Sequence, residues 1–329
     1  AATSTAFPYS PPAGLHELRE LLASRHLEGG EPLRTDQIAI TSGAKGGLLA
    51  LLASLLEPGD ELIHPSPSYP AYQAIARRLG AHPVAVPEEN GSFEGWAQAV
   101  EQQLTHRTRA VVLASPSNPT GATLESTQSR ELVNLCRDHE LRLICDEAYV
   151  DFRFAADCDR LPAEFDPARK TVIQIRSASK SWAVCGWRMG WVAADPETVE
   201  RVAATHAALI NPAPGPAQNA LLSLDEVPSE YLANARAVIA DRIDDLCVRL
   251  TQRGLTVRRP SGGVYLWLDL SRRAGEISVT EFCIDLARRQ GVGLWPGEDF
   301  GAADHARIAV TSPAEKNWTA AVERLVECL

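Results

Sequence analysis

The chain lacks the spacings that mark several common kinds of site. Its eight histidines contain no HxxxH or HExxH pair and its seven cysteines no CxxC pair, so no metal centre is expected. Cys136, Cys145, Cys158, Cys185, Cys247, Cys283 and Cys328 are odd in number and scattered, as reduced thiols in a cytosolic protein would be. Cys145 lies in an apolar run and reads as a small buried hydrophobe. No basic block offsets the net charge of −10, which argues against a nucleic-acid partner. The longest strongly apolar stretch, Gly46 to Leu56, is closed by Lys45 and Glu57 and is far too short to span a bilayer. Ala1 to Pro12 has neither a basic start nor an apolar core, so a secretory signal is not expected. These absences predict a soluble, cytoplasmic protein without a membrane partner.

What is present is an ordinary enzyme-like composition: 329 residues, 45% hydrophobic and 22% charged, enough for a large core and more readily two domains than one. Strands and helices alternate. The leucines from Leu15 to His26 give a helical stripe, and the strand Ile38–Thr41 runs into a leucine-rich helix ending at Leu56. Further strands are expected at Glu61–His64, Pro83–Val86, Ala110–Ala114, Leu141–Cys145, Val172–Arg176 and Met189–Ala193. Helices are expected near Ala71–Leu79, Phe93–Leu104 and Ser126–Asp138. Near-continuous apolar strands of this kind imply an α/β fold with a mostly parallel sheet covered on both faces. The texture changes after Pro228. A long helix at Tyr231–Arg253 leads to Leu255–Arg258, strands Val264–Leu270 and Val292–Leu294, a helix near Val279–Gln290, the segment Arg307–Val310 and a closing helix. We therefore expect a large domain over 1–228 and a smaller C-terminal α+β domain over 229–329. No linker-like stretch separates them, so they should pack tightly.

Chemistry concentrates just past the strand ends, where ligands collect in such sheets. Lys180 sits in Ser177-Ala178-Ser179-Lys180, with Arg188 eight residues on in Gly186-Trp187-Arg188-Met189-Gly190. Asp146 and Tyr149 belong to Asp146-Glu147-Ala148-Tyr149, and Asn118 to Ser117-Asn118-Pro119-Thr120-Gly121. A carboxylate, an amine and a cation in this order suit a cofactor aldehyde such as pyridoxal 5'-phosphate, which needs each of them. Gly43-Ala44-Lys45 opens a helix, so its main-chain N–H groups would face an anion.

Together these motifs resemble the fold-type I pyridoxal-phosphate enzymes of the class I/II, aspartate-aminotransferase-like group, from Tyr9 to about Ser312. The resemblance implies that Lys180 forms the Schiff base and moves the substrate proton, and that Asp146 partners the ring nitrogen. It implies that Tyr149 and Asn118 bond the cofactor's phenolic oxygen, and that Ser177, Arg188 and the Gly43-Ala44-Lys45 turn hold its phosphate. Tyr69 matches the aromatic that stacks on the ring. Tyr9 matches a tyrosine that reaches the cofactor phosphate of a neighbouring subunit, which implies a homodimer with shared active sites. Arg307 resembles the arginine that grips the substrate α-carboxylate, so amino acids and 2-oxo acids are the expected substrates. His206 falls where dicarboxylate-specific members carry an arginine, which disfavours aspartate or glutamate. Trp182 and Cys185 border the lysine and suggest a specialised pocket. The sequence begins past the segment that in the family supplies part of the small domain and a backbone contact to the substrate. The implied activity is amino transfer through the pyridoxamine form. Decarboxylation, β-elimination, cyclisation or oxidation on the same scaffold, or a non-catalytic ligand-sensing role, are the rival readings.

Overall fold

The computed structural model describes residues 8–25, 33–89, 91–154, 161–271, 277–311 and 315–329. Cys158, His26 and Ser312 lie outside the described residues. In chain order the elements are α1 His16–Arg25, β1 Ile38–Ser42, α2 Gly43–Leu55, β2 Glu61–Ser66, α3 Ala71–Arg78, β3 His82–Pro87 and α4 Trp96–Glu101. There follow β4 Thr108–Ala114, α5 Ser126–Asp138, β5 Arg142–Asp146, β6 Val172–Ser177, α6 Ala178–Ser181, β7 Met189–Ala193, α7 Pro196–Ile210 and α8 Gly215–Leu221. The last are α9 Glu230–Gln252, β8 Tyr265–Asp269, α10 Val279–Gln290, β9 Trp295–Pro296, β10 His305–Ala309 and α11 Glu315–Cys328.

Seven strands form one sheet in the order β1-β7-β6-β5-β4-β2-β3. The neighbours from β6 to β3 pair in parallel, while β7 is antiparallel to both β6 and β1. Within this sheet, then, only β7 runs against the rest. Its reversal has a direct consequence for the site. The start of β7 lies beside the ends of β1 and β6, with Met189 opposite Ser42 and Gly190 opposite Ser177. Arg188 is thereby delivered to the same edge as the strand ends that carry the other polar residues.

Except for the edge strand β3, the strands are buried on both faces, which their continuous apolar sequences require. Alternate residues divide between two cores: Leu62, Ala110, Val112 and Ile144 pack with Leu48, Leu51, Tyr72 and Val202. Ile63, Val111, Leu113, Leu143 and Cys145 pack instead with Trp96, Val100, Leu132 and Val133. The Cys145 thiol is buried here, and burial pushes its pKa well up. A third cluster joins α1 to Trp191, Leu221 and Leu224. Most of a fourth comes from beyond residue 228 and surrounds a small antiparallel sheet, β8-β10-β9. Tyr149 and Phe152 reach into it from the large sheet.

The differences from the sequence reading have local causes. The helix expected from Phe93 forms only over Trp96–Glu101, after Gly95 in a left-handed conformation (φ 70°). Val292–Leu294 is not a strand; pairing with β10 begins at Trp295. Leu255–Arg258 is irregular. The helices α7 and α8 had no counterpart in the expectation. The motif α7 begins with Asp195, whose side chain accepts from Thr198 N–H, followed by Pro196 in the first turn. That is a recognisable helix start. Among the described residues no helix is long and apolar enough to cross a membrane.

Candidate active site

A cavity of about 950 Å³ opens at the carboxyl edge of the large sheet and is closed on its far side by the small sheet. It is lined by Ala44, Lys45, Tyr69, Asn118, Asp146, Tyr149, Ser177, Lys180, Arg188 and Arg307, all singled out by sequence. Gly43 stands just behind: a methyl group placed on it would overlap the Arg188 guanidinium. Gly43 has φ +74°, and Arg188 itself has φ +57°, so both turns hold left-handed backbone at the point where they meet.

Each side chain is set by the element before it. Strand β5 ends on Asp146, whose carboxylate is buried and accepts the Tyr72 hydroxyl at 3.0 Å and the Ala148 N–H at 3.1 Å. Burial nonetheless dominates, and the Asp146 pKa is pushed up to about 6. A carboxylate with two neutral donors and no cation at hand is one that a charged N–H donor would complete. Strand β6 ends on Ser177, which caps the short α6 by accepting Ser179 N–H at 3.2 Å. That cap turns Lys180 back over the sheet edge, with its Nζ 5.8 Å from the centre of the Tyr149 ring. The Tyr149 hydroxyl meets the Tyr265 hydroxyl at 2.7 Å, and burial, then Tyr265, hold Tyr149 protonated well above its usual range.

Arg307 comes from β10 in the small sheet. Its Nη1 donates to Asn118 Oδ1 at 2.7 Å, and its guanidinium lies 4.0 Å from the Tyr265 ring centre, 4.8 Å from Phe300 and 5.3 Å from Trp295. Its buried Nε has no partner, so donor capacity remains on a cation held among aromatic faces. With Oδ1 taken by Arg307, the Asn118 amide NH₂ is the group left to donate. Tyr69 packs edge-on against Tyr72, with Lys45 Nζ 5.5 Å from its ring centre.

Two expected site residues stand elsewhere. Tyr9 is 84% exposed and does not line the cavity of its own chain. His206 is a correction: it is fully buried on α7, bonded to Ser42 N–H at 2.9 Å, and cannot touch substrate in its own chain or a neighbouring one. The preference against dicarboxylates inferred from it therefore falls. Of the two residues flanking the lysine, Cys185 lines the cavity, while Trp182 stacks on Trp191 behind it. Sequence reasoning missed Tyr72, Tyr265, Trp295 and Phe300. Tyr72 lies in the first turn of α3, three residues after Tyr69, which precedes the helix. Tyr265 sits opposite Ala309, diagonal to Arg307 and on its face. Both signals are visible once the pairing is known. Among the described residues no cluster of His, Cys, Asp or Glu could hold a metal ion.

The residues fit pyridoxal 5'-phosphate: an amine, a buried carboxylate at the cavity wall, and a glycine turn pressed to a guanidinium. The fold and this cavity are those of the fold-type I pyridoxal-phosphate class. Residues 1–325 match the model for aminotransferase class I and II, and the chain belongs to that family. It is 34% identical over 313 residues to the arginine–pyruvate transaminase AruH of Pseudomonas aeruginosa, covering 93% of this chain and 79% of that protein. It is 32% identical over 332 residues to the aspartate/prephenate aminotransferase of Thermus thermophilus, covering 98% and 83%. Among solved structures, a tetra mutant of Thermus thermophilus aspartate aminotransferase superposes with TM-score 0.89 at 30% identity, covering 98% of this chain and 88% of that one. The N-succinyldiaminopimelate aminotransferase of Mycobacterium tuberculosis gives TM-score 0.90 at 29% identity, covering 98% and 86%. The chain is a pyridoxal-phosphate-dependent aminotransferase.

Proposed function

We propose that this enzyme moves the amino group of an α-amino acid to a 2-oxo acid, with Lys180 as the amine that holds the cofactor and moves the donor's Cα proton. The observation that carries the reading is convergence: Lys180, Asp146, Asn118 and Arg307, from four different strands or strand ends, line one cavity. When bound, the cofactor supplies an electron-accepting ring that stabilises negative charge at the substrate Cα. Asp146 keeps a proton on the ring nitrogen, and in doing so regains the cation its buried carboxylate lacks. Tyr149 and the Asn118 amide donate to the phenolic oxygen. Ser177, Arg188 and the first amides of α2, at Gly43, Ala44 and Lys45, hold the phosphate, and Tyr69 covers the ring. Arg307 holds the α-carboxylate of either substrate in a planar fork, which selects amino acids over simple amines.

The relatives named above act, by their names, on arginine and pyruvate, aspartate and prephenate, and N-succinyldiaminopimelate; these set the range of donors to try here. We further propose a large cofactor-binding domain over 1–228 and a small domain over 229–329, with the cavity between them. The exposed Tyr9, together with Leu209 at 55% and Trp187 at 45% exposure, suits a homodimer in which Tyr9 reaches the neighbouring phosphate. The free thiols among the described residues suit a reducing, cytoplasmic setting.

Borohydride reduction of the cofactor-loaded protein tests the central assignment. The label is expected on the Lys180 peptide, and Lys180→Ala is expected to abolish transfer, followed by chromatography of the 2-oxo acid formed. Label recovered on Lys45 or Lys170 would overturn it.

A further inference from the structure

His206 is buried to 0% exposure on α7, yet it is a polar ring with an unusual task. The main-chain N–H of Ser42 points at its Nε2 from 2.9 Å. A main-chain N–H can only donate, so Nε2 must present a lone pair, and the ring is the neutral tautomer carrying its proton on Nδ1. Nδ1 is itself buried without a partner. Burial also lowers the pKa of the ring, which keeps it neutral and its acceptor available. A half-satisfied imidazole in a helix interface is a costly choice over leucine unless the one bond it makes matters.

That bond falls at a significant place. Ser42 is the last residue of β1 and the cap residue of α2, immediately before Gly43. Its own side chain makes no capping hydrogen bond, so the usual device for fixing such a turn is missing. The turn is held instead from beneath. Thr41 Oγ1 donates to Gly43 O at 3.1 Å, and His206 takes the Ser42 N–H. Gly46 adjoins the ring, and a methyl there would sit in ordinary van der Waals contact at 3.4 Å from Nε2. On the other side of the same turn the Arg188 guanidinium lies directly against Gly43.

We propose that His206 is a positioning residue for the phosphate end of the site: by accepting Ser42 N–H it fixes the β1–α2 turn so that the first amides of α2 and Arg188 face one phosphate monoester. The inference rests on the phosphate reading given above. It assigns to α7, which lines no part of the cavity, a share in cofactor retention.

The test is binding to cofactor-free protein of pyridoxal 5'-phosphate, of pyridoxal, which lacks the phosphate, and of inorganic phosphate as competitor. The proteins compared are the parent, His206→Gln, His206→Asn, His206→Leu and Arg188→Gln. The Gln side chain carries an acceptor about as far out as Nε2, whereas Asn stops short and Leu has none. The Gln variant should stay within about threefold of the parent. The Asn and Leu variants should lose roughly tenfold for pyridoxal 5'-phosphate and for phosphate, with pyridoxal affected little. An equal loss for pyridoxal, or Gln and Asn variants that behave alike, would overturn the proposal; the Gln–Asn comparison decides if the Leu variant does not fold. Should Arg188→Gln weaken phosphate binding while the His206 variants do not, only the role of His206 fails. A parent that shows no preference for the phosphorylated ligand removes the phosphate site and this inference together.

Discussion

At the scale of single residues, Asp146 carries the clearest energetic signature. A carboxyl whose folded pKa is about 6 against an ordinary 3.8 is more easily protonated in the folded chain than in the unfolded one. Stability from this group is therefore lost as pH rises from about 4 to about 6 and stays lost above that. The cost of holding the ionised form is on the order of 3 kcal/mol without a cation beside it. Asn at this position can still accept from Ala148 and pair with Tyr72. Cofactor-free Asp146→Asn is thus expected to resist urea better than the parent at about pH 7.5, with the advantage gone near pH 4. The loaded enzymes should rank the other way, because only the carboxylate favours the protonated ring. Equal urea midpoints at both pH values in the cofactor-free proteins would show that Asp146 is not strained. The carboxylate's identity was legible in Asp146-Glu147-Ala148-Tyr149, but its strain was not: that depends on Tyr72 and on burial by distant segments.

At the scale of elements, the site depends on how closely β7 approaches the β1–α2 turn. Gly190 makes that approach feasible. A methyl on it would stand 2.6 Å from Ala44 N, 2.7 Å from Arg176 O and 2.7 Å from Gly43 C, all backbone atoms with no freedom to yield. Gly190→Ala is expected to destabilise the chain by about 1–3 kcal/mol and to weaken cofactor binding, since β7 and α2 must part. Gly186, four residues earlier in the same motif, has open space where its methyl would go. Gly186→Ala should shift stability by no more than about 0.5 kcal/mol. Thermal melts of the two variants beside the parent check both, and a harmless Gly190→Ala would mean the turn adapts. The two glycines read alike in sequence. Only the reversed direction of β7 gives one of them a backbone to touch.

At the scale of the whole molecule, the hydrogen bond from Arg307 to Asn118 joins the small sheet to the large one across the cavity. Arg307, the proposed ligand of the substrate carboxylate, is also a tie between two cores, packed against Tyr265, Phe300 and Trp295. A lysine there would keep the charge but lose the planar fork and its stacking on the rings. Arg307→Lys is expected to raise KM tenfold or more for all amino donors together, since one charge-assisted hydrogen bond is worth roughly 1.5–3 kcal/mol. Steady-state kinetics with several donors decides it. A change confined to one donor would make Arg307 a side-chain selector instead.

The sequence alone determined the class of chemistry and the order along the chain of the large sheet's strands, though not the helices α7 and α8. A lysine behind a serine cap, an aspartate at a strand end, and a guanidinium before the next strand are local patterns, fixed within a few residues by capping, strand ends and turn geometry. Near-continuous apolar runs likewise marked all seven strands of the large sheet. Tertiary structure decided what depends on distant partners. It turned His206 from a supposed substrate contact into a buried acceptor, because the packing of α7 and α2 on the sheet turns that face of α7 toward Ser42. It brought Tyr265 to the cavity and set Tyr72 against the Asp146 carboxylate, although buried aromatics read equally well as core. A residue's chemical type is carried by the chain, but which face it turns to the site is set by the elements packed around it.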